Sequence, residues 1–331
     1  MKKMSKESRI IVLLVMLAAV IFPLFLDHGN NYIFQILGKC VIYSMCAISL
    51  NLLMGYTGQF SLGHGAFFMV GAYTFGISTV IHHVSPWLAL VLAVIVCYMV
   101  GYVLGFAGCK FSAIYLAMIT LGFSKVLTLV VTNEVWLTKG TNGISGIPKF
   151  SFWGYKLNTF SFYFFALACL IVMLYLYYNM VNSATGRAFK AVRGKPIAAA
   201  TMGVNVNRYK LLVFAISSAM AGFAGALYAS MLTYISPTSF SSVSISLIIM
   251  TIVGGCGTLF GPVIGACILT ILPEFLRGAG TYIDGMYGVL ALVTILFMPA
   301  GIMGGLVALR KMVAEKSPFG KAMDKGKGAA K

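Results

Sequence analysis

Charged side chains are scarce in this sequence of 331 residues: they make up 9% of it, whereas hydrophobic residues make up 60%. A soluble domain usually carries about 25% charged residues. One water-soluble core cannot hide this much apolar surface, so the composition excludes an ordinary soluble globular protein. A membrane-spanning helix needs roughly 20 mostly apolar residues, which leaves room in the chain for about ten such helices.

Acidic residues are the rarest charged type, with 7 Asp and Glu against 24 Lys and Arg. Proton- and sodium-coupled transporters commonly use carboxylates at membrane depth. Here the acids near the apolar runs lie only at their ends: Asp27, Glu134, Glu274 and Asp284. Their scarcity favours an external energy source over an ion-coupled secondary transporter, which stays as the alternative. It also argues against an intramembrane enzyme, since the four histidines have no buried acid to work with.

The sequence has neither a phosphate-binding loop nor cysteines at metal-binding or redox spacing. No Gly-Lys pair lies in a GxxxxGK[ST] phosphate loop, so any ATP must be hydrolysed by a partner, and we predict that this chain itself binds no cofactor. The cysteines are odd in number and show no CxxC spacing, so neither a disulfide framework nor a metal site is predicted. They are Cys40, Cys46, Cys97, Cys109, Cys169, Cys256 and Cys267.

Basic residues, by contrast, are plentiful, and the formal net charge is +17. They cluster at both termini and in one internal loop, with no interleaved aromatic residues of the kind that bind nucleic acid. If the predicted helices alternate across the membrane, 18 of the 24 Lys and Arg fall on the side of the termini and 4 on the other. The positive-inside rule then predicts a multi-pass cell-membrane protein with cytoplasmic N- and C-termini.

The apolar windows predict an all-α integral membrane protein, a polytopic bundle of about ten transmembrane helices. Residues 1–310 form one transmembrane domain with an outer loop at 133–159 and a cytoplasmic loop at 181–209, and residues 311–331 form a basic cytoplasmic tail. The predicted spans are 9–26, 33–54, 65–82, 86–109, 111–132, 160–180, 210–232, 243–254, 261–275 and 286–309.

Glycine interrupts the apolar pattern twice, which predicts short or broken helices near 55–65 and 243–262. The first interruption lies in LNLLMGYTGQFSLGHGAFFMVGAY, residues 50–73. Gly-interrupted segments of this kind point to a translocation pathway, but a turn between two closely packed helices fits equally well. The candidate pathway residues are Asn51, Gly55, Thr57, Gln59, Ser61, Gly63 and His64. For His64 a packing role is favoured, since no partner lies at metal-ligand spacing.

Two further features carry charge. Lys125 lies in the middle of a predicted span, where an ionised side chain normally faces a bundle interior or a cavity. In the cytoplasmic loop, Pro196 is suited to begin a short helix that Gly203 ends. Such a helix fits a cleft on a peripheral subunit, with Arg187 and Arg193 beside it, but the residues by themselves favour anchoring of the topology by these charges.

Residues 50–73 closely resemble the hallmark of permease subunits of branched-chain amino-acid ABC importers. Further segments agree with that family in order and spacing: IYLAMITLGF at 114–123, TNGISGIP at 141–148, GRAFKAVRGKPIAAATMGVNVNRYKLLVFAISSAMAGFAGALYA at 186–229, and VGGCGTLFGPVIGA at 253–266. The resemblance covers roughly residues 35–305. The GISGIP sequence in a long outer loop is typical of the LivM-type branch.

The resemblance implies a heterodimer with a sister permease, two cytoplasmic ATP-binding subunits, an extracytoplasmic substrate-binding protein, and import of leucine, isoleucine or valine. It also implies that the cytoplasmic loop is the coupling element, with Ala198, Ala199 and Gly203 matching the "EAA...G" pattern of importer permeases. The sequence departs from the family where RGKP replaces the acidic residue that opens this element, and where Lys125 stands near a position that is often acidic. Related permeases carry urea, sugars or nucleosides, which remain alternative substrates.

Overall fold

The computed structural model describes residues 31–108, 111, 113–152, 155–275, 285, 288–289, 292, 296 and 301–305. This part of the chain is almost entirely helical, as predicted for an all-α membrane protein. The helices are α1 (Asn31–Thr57), α2 (His64–Val80), α3 (Pro86–Gly108), α4 (Ala113–Asn133), α5 (Val135–Thr138), α6 (Thr159–Asn182), α7 (Ala184–Gly194), α8 (Pro196–Thr201), α9 (Val206–Leu232), α10 (Val243–Gly254) and α11 (Gly261–Phe275).

The number of full spans differs from the sequence prediction. Six stretches of the described residues are long and apolar enough to cross a membrane, not ten: α1, α3, α4, α6, α9 and Pro237–Gly254. The prediction counted every apolar window as a span, but α2 has 17 residues and α11 has 15, and each is shorter than the roughly 20 residues that a full span needs. The predicted span at 9–26 lies outside the described residues, and the one at 286–309 is described at few positions.

Helix α1 forms the centre of the bundle, with α6, α9, α10 and α11 packed around it. Its most apolar window is 78% buried, whereas that of α4 is 17% buried. Helix α1 is apolar on all sides, and a helix of this kind is suited to the interior of a bundle. At one end of the bundle, the Tyr32 hydroxyl donates to the Glu274 carboxylate and ties α1 to α11.

Helices α2 and α9 approach so closely that their backbones touch. A Cβ added at Gly71 would overlap the carbonyl group of Gly222, and one added at Gly225 would overlap the carbonyl oxygen of Phe68. Small residues at such crossings let van der Waals packing hold membrane helices together where burial from water gives no driving force. The α2–α9 crossing is therefore set by glycine.

The predicted outer loop at 133–159 carries regular structure. It contains α5, a short 3₁₀ turn and the strands β1 (Ile144–Ser145), β2 (Ser151–Phe152) and β3 (Tyr155–Lys156). Strand β1 pairs antiparallel with β4 (Tyr234–Ile235), and β2 pairs with β3. Phe150 is fully buried, with its ring centroid 5.1 Å from that of Trp87, so the loop packs onto the end of the bundle.

Candidate functional site

Asn51 holds the end of α1 against the turn between α10 and α11. Its side-chain amide donates to the Tyr177 hydroxyl at 2.7 Å and to the Thr258 carbonyl at 2.7 Å, and its oxygen accepts from the Gly257 amide at 2.7 Å. The side chain is fully buried. This predicted pathway residue therefore closes a three-way junction of α1, α6 and the α10–α11 turn.

Gly55 lies one helical turn after Asn51 and allows this junction to close. A Cβ built on Gly55 would lie 2.6 Å from the Gly257 nitrogen and 2.8 Å from its Cα. Gly257 itself has φ +83°, in the left-handed region that side chains disfavour. The end of α1 and the α10–α11 turn are thus in direct backbone contact.

After α1 the chain runs in a non-helical segment, residues 58–63, back into the bundle. Side chains alternate along it, with Gln59 and Ser61 buried while Phe60 and Leu62 are 49% and 38% exposed. The Leu62 amide donates to the Thr120 hydroxyl at 3.1 Å, which fixes the segment to α4. Gly63 follows, and a Cβ there would overlap the Thr120 carbonyl. Glycine is required at this position because the backbones of the two elements touch.

Helix α2 begins well inside the bundle. His64, its first residue, is buried, and its Nε2 lies 2.8 Å from the hydroxyl of Ser49, which is roughly two turns, or about 12 Å, before the end of α1. The Gly65 amide donates to the Ser244 hydroxyl at 3.0 Å, so α10 begins beside α2. Helices α2 and α10 thus start at the same depth in the bundle.

Two buried polar atoms near this point lack hydrogen-bond partners within the described part of the chain, the Ser61 hydroxyl and His64 Nδ1. The His64 ring packs edge-on against Phe67 at 5.9 Å between centroids. Among the described residues no three His, Cys, Asp or Glu side chains lie together in a way that could hold a metal ion. The His64 ring is therefore bonded through Nε2 and packed against Phe67, and its role stays a prediction.

Thr57 and Gln59 lie at the base of the bundle, beside the predicted coupling loop. The Thr57 hydroxyl donates to the Leu53 carbonyl at 2.7 Å and lies 3.2 Å from the Gln59 side-chain oxygen. Both residues line a cavity of about 280 Å³ together with Arg193 and Pro196. Predicted pathway residues and predicted coupling residues are distant in the sequence. The structure brings them together around this one cavity.

The coupling loop forms two short helices. Ser183 caps α7 by accepting from the Gly186 amide at 3.4 Å, and Pro196 opens α8 as expected. Gly203 has φ +81° just beyond α8, as its predicted role as a stop requires. Arg187 is exposed, Ala198 is exposed and Ala199 is buried.

Sequence reasoning missed the two most exposed apolar side chains of this loop. Ile197 and Met202 flank the alanines of α8, and each is 84% exposed. The available signal was the presence of large apolar residues in a loop otherwise rich in charge and alanine. Two large apolar side chains exposed five residues apart on this loop are candidates for an interaction surface, since exposed apolar patches mark such sites.

Arg193 is an exposed residue of α7 whose side chain reaches the end of α1. Its guanidinium donates to the Gly55 carbonyl, and the Lys190 ammonium lies 5.6 Å from the centre of the Tyr56 ring. Burial raises the pKa of the Cys256 thiol, and the positive charge of Arg193 lowers it in part, because the two groups are close. Arg193 therefore lies beside the coupling helix, as predicted, and also contacts the end of α1 and lies near Cys256 in the α10–α11 turn.

Lys125 lies apart from these clusters. It is exposed on α4, where it belongs to a stripe of exposed residues that includes Leu121, Gly122 and Val126. Nothing lies within 4 Å of a Cβ built on Gly122 among the residues that the structure describes. The lysine therefore faces outward from this chain rather than into its core.

Comparison with known proteins gives a consistent result. The family model described as branched-chain amino acid transport system / permease component matches residues 32–299. The high-affinity branched-chain amino acid transport system permease protein LivM of Salmonella typhimurium is 30% identical over 322 residues, covering 90% of this chain and 75% of that protein. The Escherichia coli LivM is 29% identical with the same coverage.

A ribose import permease protein, RbsC of Haemophilus influenzae, is 25% identical over 292 residues, covering 81% of this chain and 83% of that protein. The match is weaker in identity than those to the two LivM proteins. No solved structure matches the chain. The three matched proteins are transport permeases, in agreement with the prediction that this chain is a transporter subunit.

Proposed function

Because the chain belongs to the family of permease components of branched-chain amino acid transport systems, we propose that it forms half of the pathway of an ATP-driven importer of leucine, isoleucine and valine. The geometry that carries this proposal is the non-helical segment 58–63 inside the bundle, joined to two helices that start at one depth. Non-helical backbone at membrane depth is tolerated where protein covers it or where it lines a cavity.

The apolar residues Phe60 and Leu62 lie on the exposed side of that segment, and they suit the passage of an apolar amino-acid side chain. In this proposal Asn51, Gly55, Thr57 and Gln59 hold the segment in place rather than contact substrate. The number of spans reaches about ten when the predicted helices at 9–26 and 286–309 are included together with the shorter α2 and α11.

The other half of the pathway is a sister permease. Lys125 stands in the middle of α4 on a face that the described residues leave uncovered, and an ammonium group against lipid is costly there. Contact with a second permease, or with the aqueous path between the two, removes that cost. A heterodimer with the exposed face of α4 at or near its interface accounts for this placement.

Two cytoplasmic ATP-binding subunits supply the energy and an extracytoplasmic binding protein supplies the substrate. In this proposal the ATPases act on α7 and α8. The positive-inside rule supports a cytoplasmic location for α7, which carries Arg187, Lys190 and Arg193, and for the two basic termini. Ile197 on α8 and Met202, which directly follows the last residue of α8, offer the apolar surface that an ATPase cleft would receive.

The test is to purify this chain with its candidate partners and to measure ATPase activity with each substrate-loaded binding protein. We expect leucine, isoleucine or valine to stimulate hydrolysis, and urea, ribose or a nucleoside to leave it at its basal rate. Leucine uptake by this chain alone in proteoliposomes, driven by an ion gradient, would instead establish the secondary transporter.

Replacing both Ile197 and Met202 with serine is expected to reduce co-purification of the ATPase subunits about tenfold or more, since two exposed apolar anchors are removed from one small surface. Tyr155→Ser is the control, because Tyr155 is also 84% exposed but lies in the outer loop. Equal recovery of the ATPases with both variants would refute the assignment of α8 as their docking element.

A further inference from the structure

Arg193 occupies the last turn of α7, a helix that is firmly seated on the bundle. On this helix Phe189 and Val192 are fully buried, and the Phe189 ring meets the Tyr209 ring at 6.0 Å. Helix α8 begins after a single intervening residue, Lys195. A displacement of α8 is therefore passed directly to α7.

The acceptor of the Arg193 hydrogen bond is a carbonyl at the end of α1. Gly55 is two residues before the end of that helix, and the last four carbonyls of a helix have no partner within it. The C-terminal end of a helix also carries partial negative charge, which a guanidinium complements. Arg193 thus binds α1 at the point where it gives way to segment 58–63.

The same guanidinium borders the α10–α11 turn. A Cβ built on Gly257 would lie 2.8 Å from Arg193 Nη1 and 3.1 Å from the Gly55 oxygen. The Arg193 guanidinium therefore lies between the end of α1 and the α10–α11 turn, and it meets each of them at a glycine, Gly55 and Gly257.

Lys190 supports the same contact from one turn earlier on α7, with its ammonium over the Tyr56 ring. The Tyr56 ring in turn meets the Tyr177 ring edge-on at 5.8 Å, and Tyr177 accepts the Asn51 hydrogen bond. A continuous set of contacts therefore leads from α7 to α1, to α6 and to the α10–α11 turn.

We propose that Arg193 is a positioning residue that transmits movement of α7 and α8 to the Gly55 end of α1 and to the Gly257 turn. This inference rests on the proposed function, because it names the link between ATPase docking and the pathway. Arg193 acts by holding both interrupted segments to one cytoplasmic helix, so that they move together when that helix moves. It does not contact the ATPase in this role.

The experiment compares Arg193→Gln, Arg193→Lys and the control Arg208→Gln in the assembled importer. Arg208 is exposed near the start of α9, so its replacement makes the same change of charge away from the contact. Assembly, basal ATPase activity and stimulation by substrate-loaded binding protein are measured for each. We expect Arg193→Gln to assemble and keep its basal rate but to lose about tenfold of the stimulation, with Arg193→Lys in between and Arg208→Gln unchanged.

The outcomes separate this inference from the proposed function. Full stimulation in Arg193→Gln overturns the inference and leaves the function standing, whereas a wild-type importer that no branched-chain amino acid stimulates overturns the proposed function. If neither Arg193 variant assembles, Arg193 serves folding rather than transmission, and the inference is overturned in that case as well. A merely structural role also predicts parallel loss of basal and stimulated rates, while transmission predicts loss of stimulation alone.

Discussion

Replacing Asn51 with leucine is expected to abolish substrate-stimulated ATPase activity and to lower the stability of the chain by about 2–4 kcal/mol. Leucine has nearly the same shape as asparagine but cannot hydrogen-bond. The Gly257 amide, the Thr258 carbonyl and the Tyr177 hydroxyl would each lose their bond to Asn51. Each loss costs about 1 kcal/mol in a membrane protein, and the buried groups find no water in exchange.

Thermal unfolding of the solubilised importer and its stimulated ATPase activity measure the two effects. Asn182→Leu is the matched control, because Asn182 is exposed at the end of α6 and its amide donates within its own helix, to the Tyr178 carbonyl at 2.9 Å. We expect that control to stay near wild type. An Asn51→Leu importer with unchanged unfolding temperature would show that the three-way junction contributes little to the fold.

The positions of the helices could be predicted from sequence because they depend on local signals. Apolar runs ended by glycine, proline or polar residues gave α10 and α11 to the residue and α2 within two residues. The start of α9 was placed four residues too late, since the prediction treated its polar first turn as loop. In the structure Asn205 caps that turn by accepting from the Arg208 amide at 3.1 Å.

The arrangement of the candidate site could not be predicted, since it depends on contacts between distant parts of the chain. The Arg193–Gly55 hydrogen bond joins residues 138 positions apart, and the Asn51–Gly257 bond joins residues 206 apart. The motif at residues 50–73 made Asn51 and Gly55 candidate pathway residues without indicating which residues they contact. Likewise, an apolar window has no feature that tells a full span from a helix starting within the bundle, so the span count was wrong for the described residues.

Replacing Gly71 with alanine is expected to prevent normal accumulation of the protein, a large effect for one methyl group. The added Cβ would overlap the backbone carbonyl of Gly222, and a backbone atom cannot move aside by changing rotamer. The two helices must separate, which disrupts the packing of α2 against α9 along their shared length. Overpacking of a rigid core costs about 1–3 kcal/mol and more where the backbone itself has to shift.

Gly122→Ala provides the matched control for this prediction, because Gly122 also lies within a membrane helix yet its added Cβ meets no atom of the described chain within 4 Å. Membrane-inserted protein and its unfolding temperature are compared for the two variants after expression at equal level. Alanine should stabilise α4 slightly through its higher helix propensity, by less than about 1 kcal/mol. If Gly71→Ala and Gly122→Ala accumulate equally, the close α2–α9 crossing is not required for folding. If only Gly71→Ala is lost, the crossing is set by backbone contact, and the depth at which α2 begins follows from it.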